Sequence, residues 1–261
     1  MPEWQRALVT GASSGIGEAF ARQLASRRTD LVLVARSAAK LEDLAAGLRA
    51  DHGVAVDVLP ADLTTDQDCA AVCDRLRDTA EPIDLLVNNA GVGTSGRFGE
   101  IPLARELALL QLNVSALVQL SHAAVATMKP RRHGGVLNVS SLTGFQPYPF
   151  GAAYGASKAF VNSFSKALHT ELAGDGIKVL ALCPGFTRTS FQRSAGIART
   201  PIPGWLWLRP DEVARAGLSA LQAGRAVRVV GAPFRLWAMA TKVVPEGWLR
   251  RALAVGGSAR T

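Results

Sequence analysis

Cysteine is scarce in this chain, three in 261 residues. An odd count cannot complete a set of disulfides, and none of the four histidines stands at metal-ligand spacing from a cysteine. Neither a disulfide scaffold nor a metal site is therefore expected. Internal repeats, low-complexity segments and linkers are also missing, so residues 1–261 are expected to form a single domain. No long uncharged apolar run is expected either. The longest candidate, 226–244, is broken by Arg228, Arg235 and Lys242, so no membrane span is expected. The chain turns strand-like almost at once, at Arg6-Ala7-Leu8-Val9, without a basic-then-apolar leader, and the expected location is the reducing cytoplasm. With 48% hydrophobic and 19% charged residues, disorder and a collagen are excluded.

Acidic residues run out toward the end. Residues 1–187 hold 17 Lys or Arg against 18 Asp or Glu, whereas 188–261 hold 12 against three. The whole net charge of +8 thus comes from the last quarter, which also carries Trp205, Trp207, Trp237 and Trp248, four of the five tryptophans. A charge so confined argues against nucleic acid as the partner. Basic residues beside Trp and Leu fit a membrane-surface or acidic-partner patch. An arginine-rich solvated surface around an apolar pocket is the plainer alternative.

Strand-like apolar runs fall at 7–10, 31–35, 54–59, 83–88, 135–140, 178–183 and 226–230. Helical patterns lie between them near 15–28, 38–50, 66–79, 102–128, 152–173 and 211–223. Repeated β-α-β order predicts an α/β fold, a doubly wound (Rossmann-type) parallel sheet of about seven strands with helices on both faces. Ligands of such sheets sit at the carboxyl ends of the strands. The stretch 188–209 breaks the pattern and is expected to be a substrate lid.

After the first strand comes Thr10-Gly11-Ala12-Ser13-Ser14-Gly15-Ile16-Gly17, which opens a helix. Glycines at 11, 15 and 17 leave room for a ligand, and free N–H groups at a helix start attract phosphate. The spacing predicts a dinucleotide pyrophosphate site; a glycine-rich turn without a ligand is the alternative. The second strand ends Val34-Ala35-Arg36-Ser37 with no acid to take a ribose hydroxyl. Arg36 suits a 2′-phosphate, which predicts NADP(H), unless it is an ordinary exposed loop cation. Asp62, after the third strand, is placed to accept from the adenine amine or to begin a helix.

Tyr154-Gly-Ala-Ser-Lys158 pairs one of only two tyrosines with one of six lysines on a shared helix face. An ammonium beside a phenol is expected to lower the tyrosine pKa and make Tyr154 a general acid/base. Ser141, thirteen residues upstream at a strand end, is placed to hold a substrate carbonyl; Ser140 competes for that role.

These motifs together resemble those of the short-chain dehydrogenase/reductase family, in its compact branch of about 250 residues. The family's T-G-x-x-x-G-x-G stands at Thr10–Gly17 and its N-N-A-G at Asn88-Asn89-Ala90-Gly91. Its Y-x-x-x-K stands at Tyr154 and Lys158, and its P-G at Pro184-Gly185, followed by Thr187 and Thr189. The resemblance implies a catalytic set of Asn113, Ser141, Tyr154 and Lys158. By the same resemblance Lys158 also holds the nicotinamide ribose, and Asn113 anchors a water joining Lys158 to solvent. Thr187 and Thr189 match positions that hold the carboxamide. The implied reaction is hydride transfer between the nicotinamide and a carbonyl or secondary alcohol, without a metal, in a homodimer or homotetramer.

Phe186, Phe191, Ile202, Trp205, Leu206, Trp207 and Leu208 predict an apolar substrate, with Tyr148 and Phe150 lining the same pocket. The basic amphipathic segment 232–255 places Arg235 and Lys242 on one helix face and Phe234, Trp237 and Val244 on another. Pocket cover or a subunit contact is expected there ahead of peripheral membrane contact. Two other functions fit the same residues. One is reduction of 3-oxoacyl groups tethered to an acidic acyl carrier protein, which the basic last quarter favours. The other is a non-catalytic dinucleotide-binding regulator, which would not need Tyr154.

Overall fold

The computed structural model describes residues 3–189, 191 and 203–243. Seven strands form one sheet: β1 Arg6–Thr10, β2 Asp30–Ala35, β3 Val56–Pro60, β4 Leu85–Asn88, β5 Gly134–Val139, β6 Ile177–Cys183 and β7 Val227–Val229. All neighbours run parallel, in the order β3-β2-β1-β4-β5-β6-β7. The strands are continuously apolar because both faces are covered. Leu8, Val32, Leu86, Val136 and Val179 point to one face, and Val9, Leu33, Leu85, Leu137 and Leu180 to the other.

Helices α1 (Gly15–Ala25) and α2 (Ala38–His52) cover the second face together with α7 (Pro210–Gln222). Across the sheet lie α3 (Asp66–Arg77), α5 (Leu117–Arg131) and the end of α6 (Ala152–Leu172). Strand order reverses between β1 and β4, which opens a crevice at their carboxyl ends. This is the Rossmann-type architecture the periodicity predicts.

The structure bears out one expectation with an added feature and corrects another. The helical pattern over 102–128 is present, and within it α4 (Leu103–Leu110) and α5 are joined by a π-helical turn, Gln111–Ala116. Such wide turns recur at functional sites, and Asn113 lies in this one, 1% exposed. The same 29-residue rod, Leu103–Arg131, is long and apolar enough to cross a membrane by length and composition. That overturns the expectation that no stretch qualifies, because Leu107–Met128 holds no Asp, Glu, Lys or Arg. Here 44% of its apolar window is buried in the protein, with Leu117, Leu120, Ala123, Ala124 and Met128 in the core.

Polar groups inside the sheet are tied together. Asn88 Nδ2 donates to Asn138 Oδ1 (2.9 Å) and Ser121 Oγ (3.0 Å). Asn138 Nδ2 in turn donates to Ser165 Oγ at 2.9 Å. The chain of bonds locks β4 to β5 and β5 to α6, the elements that lead to Asn89, Ser141 and Tyr154.

Candidate active site

Beyond β1, Gly11 takes φ +65° and Gly15 φ +62°, the left-handed region that glycine enters without strain. Gly17 is required for space: a Cβ there would lie 2.2 Å from the Gly11 carbonyl oxygen and 2.5 Å from Asn89 Nδ2. Ser14 precedes α1 in extended backbone, and its hydroxyl makes no capping bond to the first-turn N–H groups. Those donors therefore face the crevice at the positive end of the helix. Ser13 is partly exposed, and Ile16 packs against the core behind the turn.

The turn is clamped from β4. Thr10 Oγ1 accepts from the N–H groups of Asn89 and Ala90, both at 3.0 Å. Asn89 Nδ2 donates to the carbonyls of Thr10 (2.9 Å) and Gly11 (3.2 Å). The Asn89 side chain is thus engaged in shaping the turn.

At the far end, Arg36 is exposed beyond β2. Asp62 is half-buried beyond β3, and its Oδ1 accepts from Thr64 Oγ1 (2.7 Å) and Thr64 N (3.0 Å). The Thr64 hydroxyl first, and the nearby Arg36 charge to a lesser degree, hold this carboxyl below its ordinary range.

The other end is built on β5 and α6. Ser141 begins a short 3-10 turn, Leu142–Phe145, and its Oγ accepts from Thr143 N at 3.2 Å. Tyr154 stands in the first turn of α6, where the Ser141 side chain favours the ionised form of its hydroxyl. Ser140 is spent elsewhere: its Oγ, buried, donates to the Lys158 carbonyl at 3.0 Å. Of the two serines, Ser140 is thus the one tied to α6, while Ser141 stands at the head of the following turn.

Lys158 lies one helical turn on, 6% exposed, with Nζ donating to the Val139 carbonyl at 2.9 Å and standing 5.9 Å from the Tyr154 ring centre. Asn113 Oδ1 accepts from Val92 N (3.0 Å), and Nδ2 donates to Val92 O (2.9 Å) and Ser157 Oγ (3.1 Å). Ser157 passes the link to the Tyr154 carbonyl at 2.7 Å. Asn113 Oδ1 and Lys158 Nζ converge on Gly91, where a Cβ would meet them at 3.1 and 3.6 Å. The sequence reading missed Ser157, whose position beside Lys158 carries no motif signal.

One electrostatic expectation fails. Burial, the largest influence, pushes Tyr154 up to about 12, against the lowering donated by Ser141. Burial also pulls Lys158 down to about 8. The ammonium is directed at the Val139 carbonyl, and desolvation outweighs its help to the phenolate.

The pocket wall is aromatic. Tyr154 lies 5.6 Å from Phe191 and 6.3 Å from Tyr148, centre to centre. Phe150 takes φ +62° just before α6, and its carbonyl accepts from Gly96 N at 2.8 Å. After β6, Pro184 is buried and its carbonyl accepts from Leu142 N at 3.3 Å, joining this loop to the Ser141 turn. Thr187 bridges to Leu208, and the Thr189 methyl lies 3.0 Å from where a Gly15 Cβ would be. The Pro184–Thr189 loop thus spans from the Ser141 end to the glycine turn. Beside it an open depression of about 580 Å³ is lined by Arg188, Thr189, Gly204 and Trp207.

Helix α8 (Ala232–Val243) covers the loop from outside. Phe234 is buried against Gly185, where a Cβ would come within 2.2 Å of its ring, and stands 6.0 Å from Phe186. Trp237 is partly buried, while Arg235, Leu236 and Met239 are exposed. Residues 190 and 192–202 of the expected lid, with Ile202, lie outside the described residues. So do 244–255 of the tail segment, with Val244 and Trp248.

Comparison with known proteins bears on this geometry. Residues 5–199 match the family model of the short chain dehydrogenases. The chain is 31% identical over 224 residues to the ketoacyl reductase HetN of Nostoc sp., covering 82% of this chain and 74% of the relative. It is similar to a short-chain dehydrogenase from Sphingobium yanoikuyae solved with NADPH: 38% identity, TM-score 0.83, 96% of this chain and 95% of that one. It is also similar to the bulky-bulky ketone specific alcohol dehydrogenase from Comamonas testosteroni: 34% identity, TM-score 0.79, 98% of this chain and 93% of that one. A doubly wound sheet, a glycine turn at its switch point and a Ser-Tyr-Lys cluster beside it therefore come with family-wide likeness in sequence, and the chain belongs to the short-chain dehydrogenase/reductase family of NAD(P)-dependent oxidoreductases.

Proposed function

We propose that the protein interconverts a carbonyl and a secondary alcohol on an apolar substrate, using NADP(H), with Tyr154 as general acid/base. The observation that carries this reading is the cluster beside the crevice, in which Ser141 follows β5, Tyr154 opens α6 and Lys158 is buried one turn below with its Nζ 5.9 Å from the Tyr154 ring centre.

The crevice residues fit a dinucleotide. Gly11, Gly15 and Gly17 leave three positions of the turn without a Cβ, and the N–H groups of Ser13, Ser14, Gly15, Ile16 and Gly17 are the donors for the pyrophosphate. Arg36 takes the 2′-phosphate, as NADPH in the Sphingobium relative supports, and Asp62 accepts from the adenine amine. Asn89, Ala90 and Gly91 form the floor under the adenosine half. Lys158 holds the nicotinamide ribose, and Pro184, Gly185, Thr187 and Thr189 enclose the nicotinamide. The dinucleotide, when bound, supplies the hydride in reduction and accepts it in oxidation.

Ser141 and Tyr154 donate to the substrate oxygen as negative charge builds on it. A phenol held near 12 is protonated at neutral pH, so Tyr154 is a ready proton donor for reduction. Lys158 and Asn113, which meet at Gly91, form the route by which the proton is replaced. Tyr148, Phe186, Phe191 and Trp207 exclude water and favour a bulky aryl or alkyl ketone, the class named for the Comamonas relative. The described flanks of the segment 188–209, Arg188, Thr189, Gly204 and Trp207, border the substrate depression within one domain. The apolar outer residues Leu103, Leu107 and Phe160 support self-association of the kind the family implies.

NADPH oxidation across a panel of bulky ketones tests the reading. Tyr154→Phe is expected to lower turnover by at least about 100-fold while NADPH binding is kept; turnover within threefold of the parent refutes the mechanism. A second reading, 3-oxoacyl groups on an acidic carrier, is favoured by the basic last quarter and the likeness to a ketoacyl reductase. A higher kcat/KM for carrier-bound 3-oxoacyl groups than for free ketones would select it.

A further inference from the structure

We propose that the outer face of α8 is a docking surface for an anionic lipid bilayer. The inference concerns where the protein works and does not depend on which carbonyl or alcohol it acts on.

Helix α8 has two unlike faces. Phe234 and Ala238 are buried and Trp237 is partly buried, and Phe234 fastens the helix against Gly185. On the other side Leu236 is 70% exposed and Met239 65%. Three positions apart, they form one stripe along the helix. A helix that only covered a pocket would need a single apolar face; this one carries a second, turned to solvent. Arg235 is exposed on the flank of the stripe, and Lys242, seven positions on, falls on the same flank.

The exposed apolar surface continues beyond the helix. Phe186, also exposed, stands 6.0 Å from both Phe234 and Trp207, centre to centre. The short 3-10 turn Gly204–Leu206, just before Trp207, carries Trp205 at 73% exposure. An indole left in this position is of the kind that settles at a boundary between water and lipid.

Charge names the occupant. Between Glu212 and Glu246 the chain holds no acid, but it holds Arg215, Arg225, Arg228, Arg235 and Lys242. A second copy seated on this face by a two-fold axis would set the cations of one copy against those of the other. An acidic protein held by charge alone would leave Leu236 and Met239 in water. An anionic bilayer uses both features: its headgroups attract the cations, and the edge of its acyl layer takes the apolar stripe. Each cation near such a surface is worth about fivefold in partitioning, and each Leu or Met side chain taken from water about tenfold or more.

Sedimentation of the full chain with vesicles tests this, using phosphatidylcholine alone and phosphatidylcholine mixed with phosphatidylserine. The chain is expected to partition onto the mixed vesicles at least about 20-fold more strongly than onto the neutral ones. Leu236→Ser combined with Met239→Ser should lower that partitioning at least about 50-fold, and Arg235→Gln combined with Lys242→Gln about 25-fold, with parent-like thermal unfolding in both. If the serine pair prevents folding, Leu236→Gln with Met239→Gln makes the same comparison. A chain that ignores both vesicles, binds both equally, or binds as the parent does after the serine pair overturns the proposal. So does a serine pair whose one effect is to split an oligomer in light scattering, or to release an acidic acyl carrier protein, since the face then belongs to a protein.

Discussion

Replacing Gly17 with alanine puts a methyl group 2.2 Å from the Gly11 carbonyl oxygen and 2.5 Å from Asn89 Nδ2. Real Cβ contacts essentially never fall below 3.0 Å, so the Gly11 carbonyl must retreat by about 0.8 Å. It is main chain, and it accepts from Asn89 Nδ2 at 3.2 Å, so it cannot yield by a side-chain rotation. Overpacking of this kind costs about 1–3 kcal/mol, and the displaced hydrogen bond adds about 1 kcal/mol. The total of about 2–4 kcal/mol divides between two places. If the turn holds its shape, the cost appears in folding stability; if the turn moves, it appears in affinity for NADPH, as a loss of up to about 30- to 1000-fold. Urea unfolding and fluorescence titration with NADPH read the two parts, and their sum is the predicted quantity. Gly47→Ala is the control: nothing lies within 4 Å of a Cβ there, inside α2, so it should stabilise by about 0.5–1 kcal/mol. A Gly17→Ala protein with parent stability and parent NADPH affinity would refute the account of this turn.

Arg36→Ala is expected to weaken NADPH binding about tenfold and leave NADH unchanged, since only the former carries a 2′-phosphate; equal loss with both, by titration, removes Arg36 from that role. Burial holds Lys158 at about 8 against an ordinary 10.5, so between those values the unfolded chain keeps a proton that the folded chain has released. Stability from this group therefore rises with pH across about 8 to 10.5, by about 3 kcal/mol at most. In urea unfolding at pH 7 and 9.5, Lys158→Met should flatten that slope and raise stability at pH 7; an unchanged slope assigns it elsewhere.

The parallel sheet was legible because both its faces are buried, which writes each strand as an unbroken apolar run such as Leu31–Val34. The glycine turn was legible for a related reason. Positive φ at residues 11 and 15, and the absence of space at 17, leave glycine as the only unstrained choice. What the sequence hid depended on long-range packing. The π-helical turn has no composition of its own, and Leu103–Arg131 reads as an ordinary amphipathic run until the position of Asn113 is known. That Ser140 rather than Ser141 bonds to the Lys158 carbonyl was equally hidden, a contact between residues 18 apart.

The raised pKa of Tyr154 follows from the same limit. A pair four residues apart on a helix reads as phenol beside ammonium, and charge proximity alone lowers the phenol. The fold adds two facts that reverse the sign: Lys158 Nζ is turned to the Val139 carbonyl, and both groups are shielded from water. Burial disfavours the charged form of each, so it raises one and lowers the other, and the gap between them widens to about four units from about half a unit. On the function proposed above, such a centre keeps its proton on the phenol until negative charge arrives on the substrate oxygen, and Ser141 then acts on the developing charge. Hydrogen bonds that strengthen only as charge develops are those that accelerate the chemical step rather than tighten substrate binding.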